Sequence, residues 1–211
     1  MRGVAHRVQD GVVPTVFLLS PARCGGERAV QLVTSARSEL GAKLRDRQAT
    51  IGEVFAWLSA LYFRGKLTYA QQFGIPLVMA PGMGLVAPTD PIASADLSAM
   101  GTVEVESPAF VTPLRRDAET VTRVYGPTAQ IVLLGSIATG KYVDTLLDVF
   151  GERLLFPEAF VGRGDMSRGG LMLRAARSGE ELAYRPVIGA TRKGARPPRL
   201  PRSAGAHLTK R

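Results

Sequence analysis

Continuous apolar runs alternate with amphipathic segments along this chain. The clearest runs, near Thr15–Leu19, Pro76–Ala80 and Ala129–Leu134, predict strands buried on both faces. Between the runs, apolar residues recur at helical spacing. Alternating strands and helices predict an α/β fold, here a Rossmann-like three-layer sandwich with a mostly parallel central sheet.

The helical segments and weaker strands complete this pattern. The predicted helices cover about 29–44, 51–62, 66–73, 114–124, 142–150 and 171–177. Thr50 and Glu53 form a capping box at the start of the second helix. Arg153–Phe156 and Leu182–Ile188 predict two short strands, and Pro186 favours a sheet edge for the latter.

Composition divides the chain into an α/β domain over residues 12–189 and a basic, Pro- and Arg-rich tail over residues 190–211. The 211 residues are 45% hydrophobic, enough for one full core. The tail holds seven of the nine units of net positive charge and no acid, which leaves about +2 for the rest. The tail therefore suits polyanion binding through counterion release, or is simply a solvated end.

Cysteine and histidine usage narrows the chemistry. Cys24 is the single cysteine, and His6 and His207 lie near opposite ends. No intramolecular disulfide is therefore expected, and an intracellular, cytoplasmic setting is favoured. Zinc-ligand sets and Ser-His-Asp catalysis are not expected either. No apolar segment is long enough for a membrane span, and the first ten residues lack the apolar region of a secretory signal.

A glycine-rich segment between the third strand and its helix has the G-x4-G-K spacing of a phosphate-binding loop. Backbone N–H groups at a helix N-terminus attract anions, and Lys141 adds charge there. Tyr142 replaces the hydroxyl residue that would hold Mg²⁺, so we predict a general anion-binding turn. Its candidate residues are Gly135, Ser136, Thr139, Gly140, Lys141 and Tyr142. The alternative is a helix capped by Ser136 or Thr139, with Lys141 in solvent.

Residues 162–170 contain four glycines, two arginines and one aspartate, and we predict that they form a loop outside the core. Arg163 and Arg168 are candidates for clamping an anion, because a guanidinium fits phosphate or carboxylate. Asp165 is the candidate for proton transfer or for orienting an arginine. The alternative is an exposed turn held by an Asp–Arg pair.

Two further loops follow predicted strands. Cys24 is a candidate nucleophile if a helix N-terminus and nearby arginines lower its pKa, although no internal histidine could serve as its base. The alternative is a buried structural cysteine. Arg28 is a candidate phosphate ligand, and the glycines of Pro81–Gly84 form either a wall of the same crevice or a sharp chain reversal.

Aromatic and basic residues alternate over residues 62–69, a pattern that suits base stacking beside phosphate contacts. The candidate nucleic-acid contacts are Arg64 and Lys66, with Arg192, Lys193 and Arg196 from the tail. The alternative places Tyr62 and Phe63 in the core at a helical corner. If these aromatics are instead exposed, they favour a subunit of a larger assembly.

In order along the chain, several short motifs resemble an uncharacterised bacterial α/β family, a domain of unknown function. They are the loop at Ser20–Arg28, the Leu-Tyr…Ala segment at Leu61–Ala70, the Gly-Leu-x-x-Pro turn at Gly84–Pro88, the Gly…Tyr-x-x-x-Leu helix at Gly135–Leu146 and the segment Pro157–Gly170. The resemblance covers about residues 15–175. Glu27 and Arg28 stand where that family commonly has a lysine. Some relatives look like domains of enzymes that modify deazaguanine bases in tRNA, which implies a distant link to nucleic-acid chemistry.

These features predict a nucleotide-, nucleobase- or nucleic-acid-binding domain with an anion-binding crevice, and a nucleic-acid-modifying enzyme is one form of it. The alternative is a non-catalytic nucleic-acid-binding or assembly subunit that uses its basic tail. Expected partners are a nucleotide or nucleic acid and an oligomer or larger assembly, with no membrane. The sequence does not indicate a cofactor or decide whether the chain is an enzyme.

Overall fold

The computed structural model describes residues 13–200, apart from 36, 139, 192, 193, 196 and 199. The predicted site residues Thr139, Arg192, Lys193 and Arg196 therefore lie outside the described residues. The main sheet has six strands, β1 (Thr15–Leu19), β3 (Ile75–Ala80), β4 (Gly84–Val86), β6 (Gln130–Leu134), β7 (Leu154–Pro157) and β8 (Tyr184–Pro186). A small separate sheet pairs β2 (Ala49–Thr50) with β5 (Pro91–Ile92).

The main sheet has the strand order β4-β3-β1-β6-β7-β8. Its four inner strands are parallel, and the two edge strands are antiparallel to their neighbours. Leu19 pairs with Val78 on one side and with Leu134 on the other. The carboxyl ends of the three central strands therefore lie level with one another.

Seven α-helices surround the sheet in the described part of the chain. They are α1 (Glu27–Thr34), α2 (Glu39–Arg45), α3 (Ile51–Phe73), α4 (Ser94–Thr102), α5 (Pro108–Tyr125), α6 (Lys141–Phe150) and α7 (Asp165–Ser178). Connections between parallel strands are right-handed, which puts α3 on one face and α5 and α6 on the other. The packing agrees, because α3 contacts α7 while α5 contacts α6.

The predicted α/β sandwich with a mostly parallel sheet is confirmed. The central strands are buried on both faces, and Val16, Phe17, Leu18 and Leu19 have no exposed surface. The edge position predicted from Pro186 is also observed. The Thr50–Glu53 capping box forms as predicted, with the Glu53 backbone N–H donating to the Thr50 hydroxyl and the Glu53 carboxylate accepting from the Thr50 N–H.

Several helices differ from the prediction: α5 begins at Pro108, six residues before the predicted start at 114, and α4 was not predicted. The segment predicted as one helix over 29–44 is two helices, because Ser35 is extended and Ser38 caps α2 by accepting from the Gly41 N–H. The segments predicted as separate helices at 51–62 and 66–73 are one helix, which bends at Ala60 (φ 44°). The last helix begins at Asp165, six residues before the predicted start.

The glycines of residues 162–170 do not all belong to a loop, and the prediction that this segment lies outside the core is wrong for Gly169. Gly169 is a buried residue of α7. A Cβ there would lie 2.7 Å from the Leu61 carbonyl oxygen, and a Cβ at Gly65 would lie 2.6 Å from that of Gly169. These two glycines therefore bring the backbones of α3 and α7 into contact.

Replacing Gly169 with alanine should separate α3 from α7. The added Cβ meets backbone atoms that cannot rotate away, so we expect a loss of about 2 kcal/mol or more in the free energy of unfolding. The measurement is urea denaturation followed by circular dichroism.

Gly170 provides the matched control, because it lies in the same helix and a Cβ there meets only a Leu200 methyl at 3.8 Å. Gly170→Ala should be neutral or stabilise the protein by up to about 1 kcal/mol through helix propensity. Equal stability changes for the two variants would contradict the close backbone contact at Gly169.

Candidate functional site

The chain leaves β1 and β6 in opposite directions across the sheet. β1 leads to β3 on one side, whereas β6 leads to β7 on the other. In α/β proteins, ligands commonly bind at such a reversal, outside the carboxyl ends of the two strands. Ser20 lies at this point after β1, with its N–H donating to the Leu134 carbonyl at the end of β6, 3.2 Å away.

Lys66 reaches this point from within α3. Its Nζ donates to the Ser20 carbonyl oxygen at 2.7 Å and to the Ser20 hydroxyl at 2.9 Å. The ammonium also lies 4.3 Å from the centre of the Tyr62 ring. Lys66 is only 1% exposed, and this burial lowers its pKa from 10.5 to about 7. The amine therefore changes protonation near neutral pH, which an exposed lysine does not do.

Tyr142 approaches the same point from α6. Its hydroxyl donates to the Ser136 carbonyl oxygen at 3.3 Å. Gly135 permits this approach, because a Cβ there would lie 2.8 Å from the Tyr142 hydroxyl oxygen and 2.9 Å from the Ser20 Cβ. Burial raises the pKa of Tyr142, so its hydroxyl keeps its proton.

The Tyr62 hydroxyl is buried, and no residue that the structure describes accepts a hydrogen bond from it, although the Arg168 guanidinium lies close to its oxygen. A buried polar group without a partner is costly, and such groups often mark a place where a ligand or water binds. Burial raises the pKa of Tyr62, while the charge of Arg168 acts against that rise. Tyr62 is therefore a protonated donor near Arg168 and Tyr142.

Arg168 lies on α7 beside this cluster. Its Nε donates to the Phe160 carbonyl oxygen at 3.2 Å, and its Nη1 lies 3.7 Å from Asp165 Oδ1. The Arg168 side chain is 12% exposed, whereas that of Asp165 is 67% exposed. The cation is thus held inside the cluster, while its acidic partner faces solvent.

These groups give the cluster a positive character. Lys66 forms no ion pair with any described carboxylate. After burial, the largest influence on its pKa is the through-space charge of Asp165, which raises it, and the charge of Arg168 lowers it by less. The Asp165 carboxylate itself is largely solvated. Two poorly compensated cations beside hydroxyl donors are complementary to an anion. Across the described ranges, no three His, Cys, Asp or Glu side chains come together as a metal site.

The predicted turn at the start of α6 is present, but its capping residue and the charge beside it differ from the prediction. Ser136 does not cap the helix; its hydroxyl accepts from the Ala138 N–H at 3.3 Å, and Gly140 occupies the N-cap position. Lys141 is exposed, as in the solvent alternative. Asp144, in the first turn, places its carboxylate against Gly140. That negative charge reduces the attraction of this helix end for an anion.

Arg163 forms hydrogen bonds within its own segment of the chain. Its guanidinium donates to the Ala159 carbonyl oxygen at 3.0 Å and to the Ser167 hydroxyl at 3.2 Å. Arg168, rather than Arg163, therefore reaches the Lys66 cluster. Gly82 lies between β3 and β4 with a φ of 78°, and Gly84, the first residue of β4, has a φ of 93°. These values fit the predicted alternative of a sharp chain reversal.

Two predicted roles are wrong. Cys24 is buried, its thiol donates to the Ala22 carbonyl oxygen at 3.4 Å, and burial raises its pKa to about 12. An activated nucleophile needs a lowered pKa, so the alternative of a buried structural cysteine holds.

Lys66 is not a surface contact for nucleic acid, because its ammonium is buried and donates to Ser20. Tyr62 and Phe63 are buried with it, as the core alternative predicts.

Arg28 and Arg64 do not join the cluster around Lys66. The Arg28 guanidinium lies over the Trp57 ring, 4.7 Å from its centre, and Arg64 lines the same groove on the outer side of α3. Ser20 and Tyr62 were not predicted from the sequence as site residues. One signal could have placed Lys66 inside, since it shares helical spacing with Leu58, Tyr62 and Tyr69.

Comparison with known protein families, curated proteins and solved structures gives no match for this chain. The resemblance to a bacterial domain of unknown function therefore stays a prediction.

None of the described helices combines the length and apolar character that a membrane crossing requires.

Lys66 should impose a pH dependence on stability. Its folded pKa, about 7, is below the unfolded value of 10.5, so between these values the unfolded chain binds more protons and stability rises with pH. Relative to Lys66→Met, the wild type should gain about 2 kcal/mol in unfolding free energy between pH 7 and pH 9.

Urea denaturation of both proteins at each pH measures this difference. Cys24 and the tyrosines titrate in both proteins, so their contributions cancel in the comparison. A difference that stays constant across this pH range would show that Lys66 has an ordinary pKa.

Proposed function

We propose that this chain is a ligand-binding, enzyme-like α/β domain that takes a nucleotide or another small phosphorylated molecule in the crevice between β1 and β6. The observation that carries the proposal is the buried ammonium of Lys66, which no described carboxylate neutralises. Burying a charge without a counter-ion is unfavourable. An anionic ligand would supply the missing charge.

Arg168 supports a phosphate as the anionic group. Its guanidinium is largely buried, and its hydrogen bond to Phe160 fixes it at the side of the crevice. A planar guanidinium can donate two parallel hydrogen bonds to phosphate oxygens. Asp165 would hold Arg168 from the solvent side, which is the orienting role predicted for it.

The hydroxyl groups support a ligand with further acceptors. Tyr62 has a free donor, and Tyr142 lies close to Ser20 and Ser136. A nucleotide carries both a phosphate and a heterocycle with acceptor atoms, so it suits cations beside neutral donors. An amine that titrates near pH 7 can also accept or donate a proton at neutral pH, as acid–base catalysis requires.

Ligand binding should involve proton uptake. An anion beside Lys66 raises its pKa, so the ligand binds the protonated protein more tightly. With a pKa of about 7 for free Lys66, affinity for the phosphate dianion, calculated after correction for the ligand's own ionisation, should be roughly tenfold higher at pH 6 than at pH 8. Isothermal titration calorimetry with a panel of mononucleotides and inorganic phosphate measures both affinity and proton uptake, the latter by comparing buffers of different ionisation enthalpy.

Arg168→Met should weaken binding at least tenfold, because it removes the phosphate contact. Arg177→Met is the matched control, since Arg177 is an exposed residue at the far end of the same helix. Equal affinities for the two variants, or binding without proton uptake, would contradict a ligand at Lys66 and Arg168.

A further inference from the structure

A second surface lies on the outer side of α3, where a groove of about 450 Å³ is open to solvent. Arg28, Leu40, Glu53, Ala56, Trp57, Ala60 and Arg64 line it. We refer to it as the Trp57 groove. None of these residues belongs to the cluster around Lys66.

The Trp57 ring is the only large aromatic group in the groove. Trp57 is half-buried, and the Arg28 guanidinium from α1 lies 4.7 Å from the centre of its ring. Ala56 and Ala60 add only methyl groups beside the ring, and α3 bends at Ala60. The groove therefore combines a flat aromatic side chain, a stacked guanidinium and space beside them.

The charges around the groove favour an anion. Arg28 and Arg64 are exposed, and neither forms an ion pair with a described carboxylate. Glu53 is the one acid in the lining, and its carboxylate already accepts from the backbone N–H and the hydroxyl of Thr50. Two guanidinium groups without a carboxylate partner among the described residues therefore line the groove, and that of Arg28 lies over the ring.

We propose that the Trp57 groove binds single-stranded nucleic acid, with a base stacked in the groove at Trp57 and the adjoining phosphates held by Arg28 and Arg64. Aromatic side chains next to arginines bind single strands in this way, because every base has a face that can stack. A recessed ring selects a single strand, since the bases of a duplex are already stacked on each other.

The competing interpretation is structural. Arg28 on Trp57 could serve only to hold α1 against α3, with Arg64 in solvent. The two interpretations differ in the role of Arg64, because Arg64 does not stack on the ring and would matter only to a bound nucleic-acid strand.

Trp57 provides a direct probe because it is the single tryptophan of the chain. Adding single-stranded oligonucleotides to the full-length protein should quench its fluorescence by at least half, with saturation, whereas a duplex of the same sequence should not. Single-strand binding without quenching, or equal quenching by the duplex, would overturn the proposal.

Affinities of the variants come from fluorescence anisotropy of a labelled single strand, which does not depend on the tryptophan signal. Arg64→Ala should weaken binding at least fivefold and Trp57→Phe at least threefold. Arg177→Ala removes the same charge from an exposed site on α7 and should leave affinity unchanged. Equal losses for Arg64→Ala and Arg177→Ala would indicate only a general charge effect and would overturn the proposal.

This test is separate from that of the Lys66 crevice. Mononucleotide affinity at Lys66 should be unaffected by Arg64→Ala, and single-strand affinity should not show the tenfold pH dependence expected for Lys66. Loss of all single-strand binding in a chain truncated after Gly189, with the groove intact, would assign the interaction to the basic tail and overturn the proposal.

Discussion

The candidate site depends on the two hydrogen bonds from Lys66 to Ser20, which hold a helix against the central strand of the sheet. They join the middle of α3 to the carboxyl end of the central strand β1, 46 positions earlier in the chain. Because the ammonium is buried, these bonds and the Tyr62 ring replace the water that the charge would otherwise keep. The site exists only where α3 lies close enough to the sheet to deliver this amine.

The packing of α3 on α7 sets that position. Gly65 and Gly169 bring the two backbones together, and each stands next to a site residue, Lys66 on α3 and Arg168 on α7. On the opposite side, Gly135 lets the Tyr142 hydroxyl approach Ser20. Gly169, predicted in a loop, and Gly135, predicted in an anion-binding turn, therefore serve here as points of close contact, as Gly65 does.

The sequence predicted the fold well but the site only in part. Strands such as Gln130–Leu134 are continuous and apolar, a pattern that depends on local composition alone. The predicted site residues Arg168, Gly135, Ser136 and Tyr142 lie near Ser20 and Lys66, because loops after parallel strands meet at one edge of the sheet. The roles of Lys66 and Cys24 were misassigned, because a pKa depends on burial and on neighbours distant in the chain. Tyr62 could not be identified as an unpaired donor, since that requires knowing every atom around its hydroxyl.

The Lys66 crevice and the Trp57 groove lie on different sides of α3. Lys66 faces inward to Ser20, while Trp57 and Arg64 line the outer side of α3. Together the two proposed sites would allow this chain to bind a nucleic-acid single strand at the Trp57 groove and a phosphate-bearing group at Lys66. The inner site is the central claim, because it depends on a charge that the fold leaves without a counter-ion.

The most direct measurement is the pKa of Lys66 itself, followed by NMR through the ¹³Cε shift of labelled lysines and assigned with Lys66→Met. A titration near pH 7 in the free protein, moving upward when phosphate or a mononucleotide binds, is the expected result. A titration near 10.5 that no anion changes would show that Lys66 is an ordinary solvated lysine and that the crevice has no unpaired buried charge to offer a ligand.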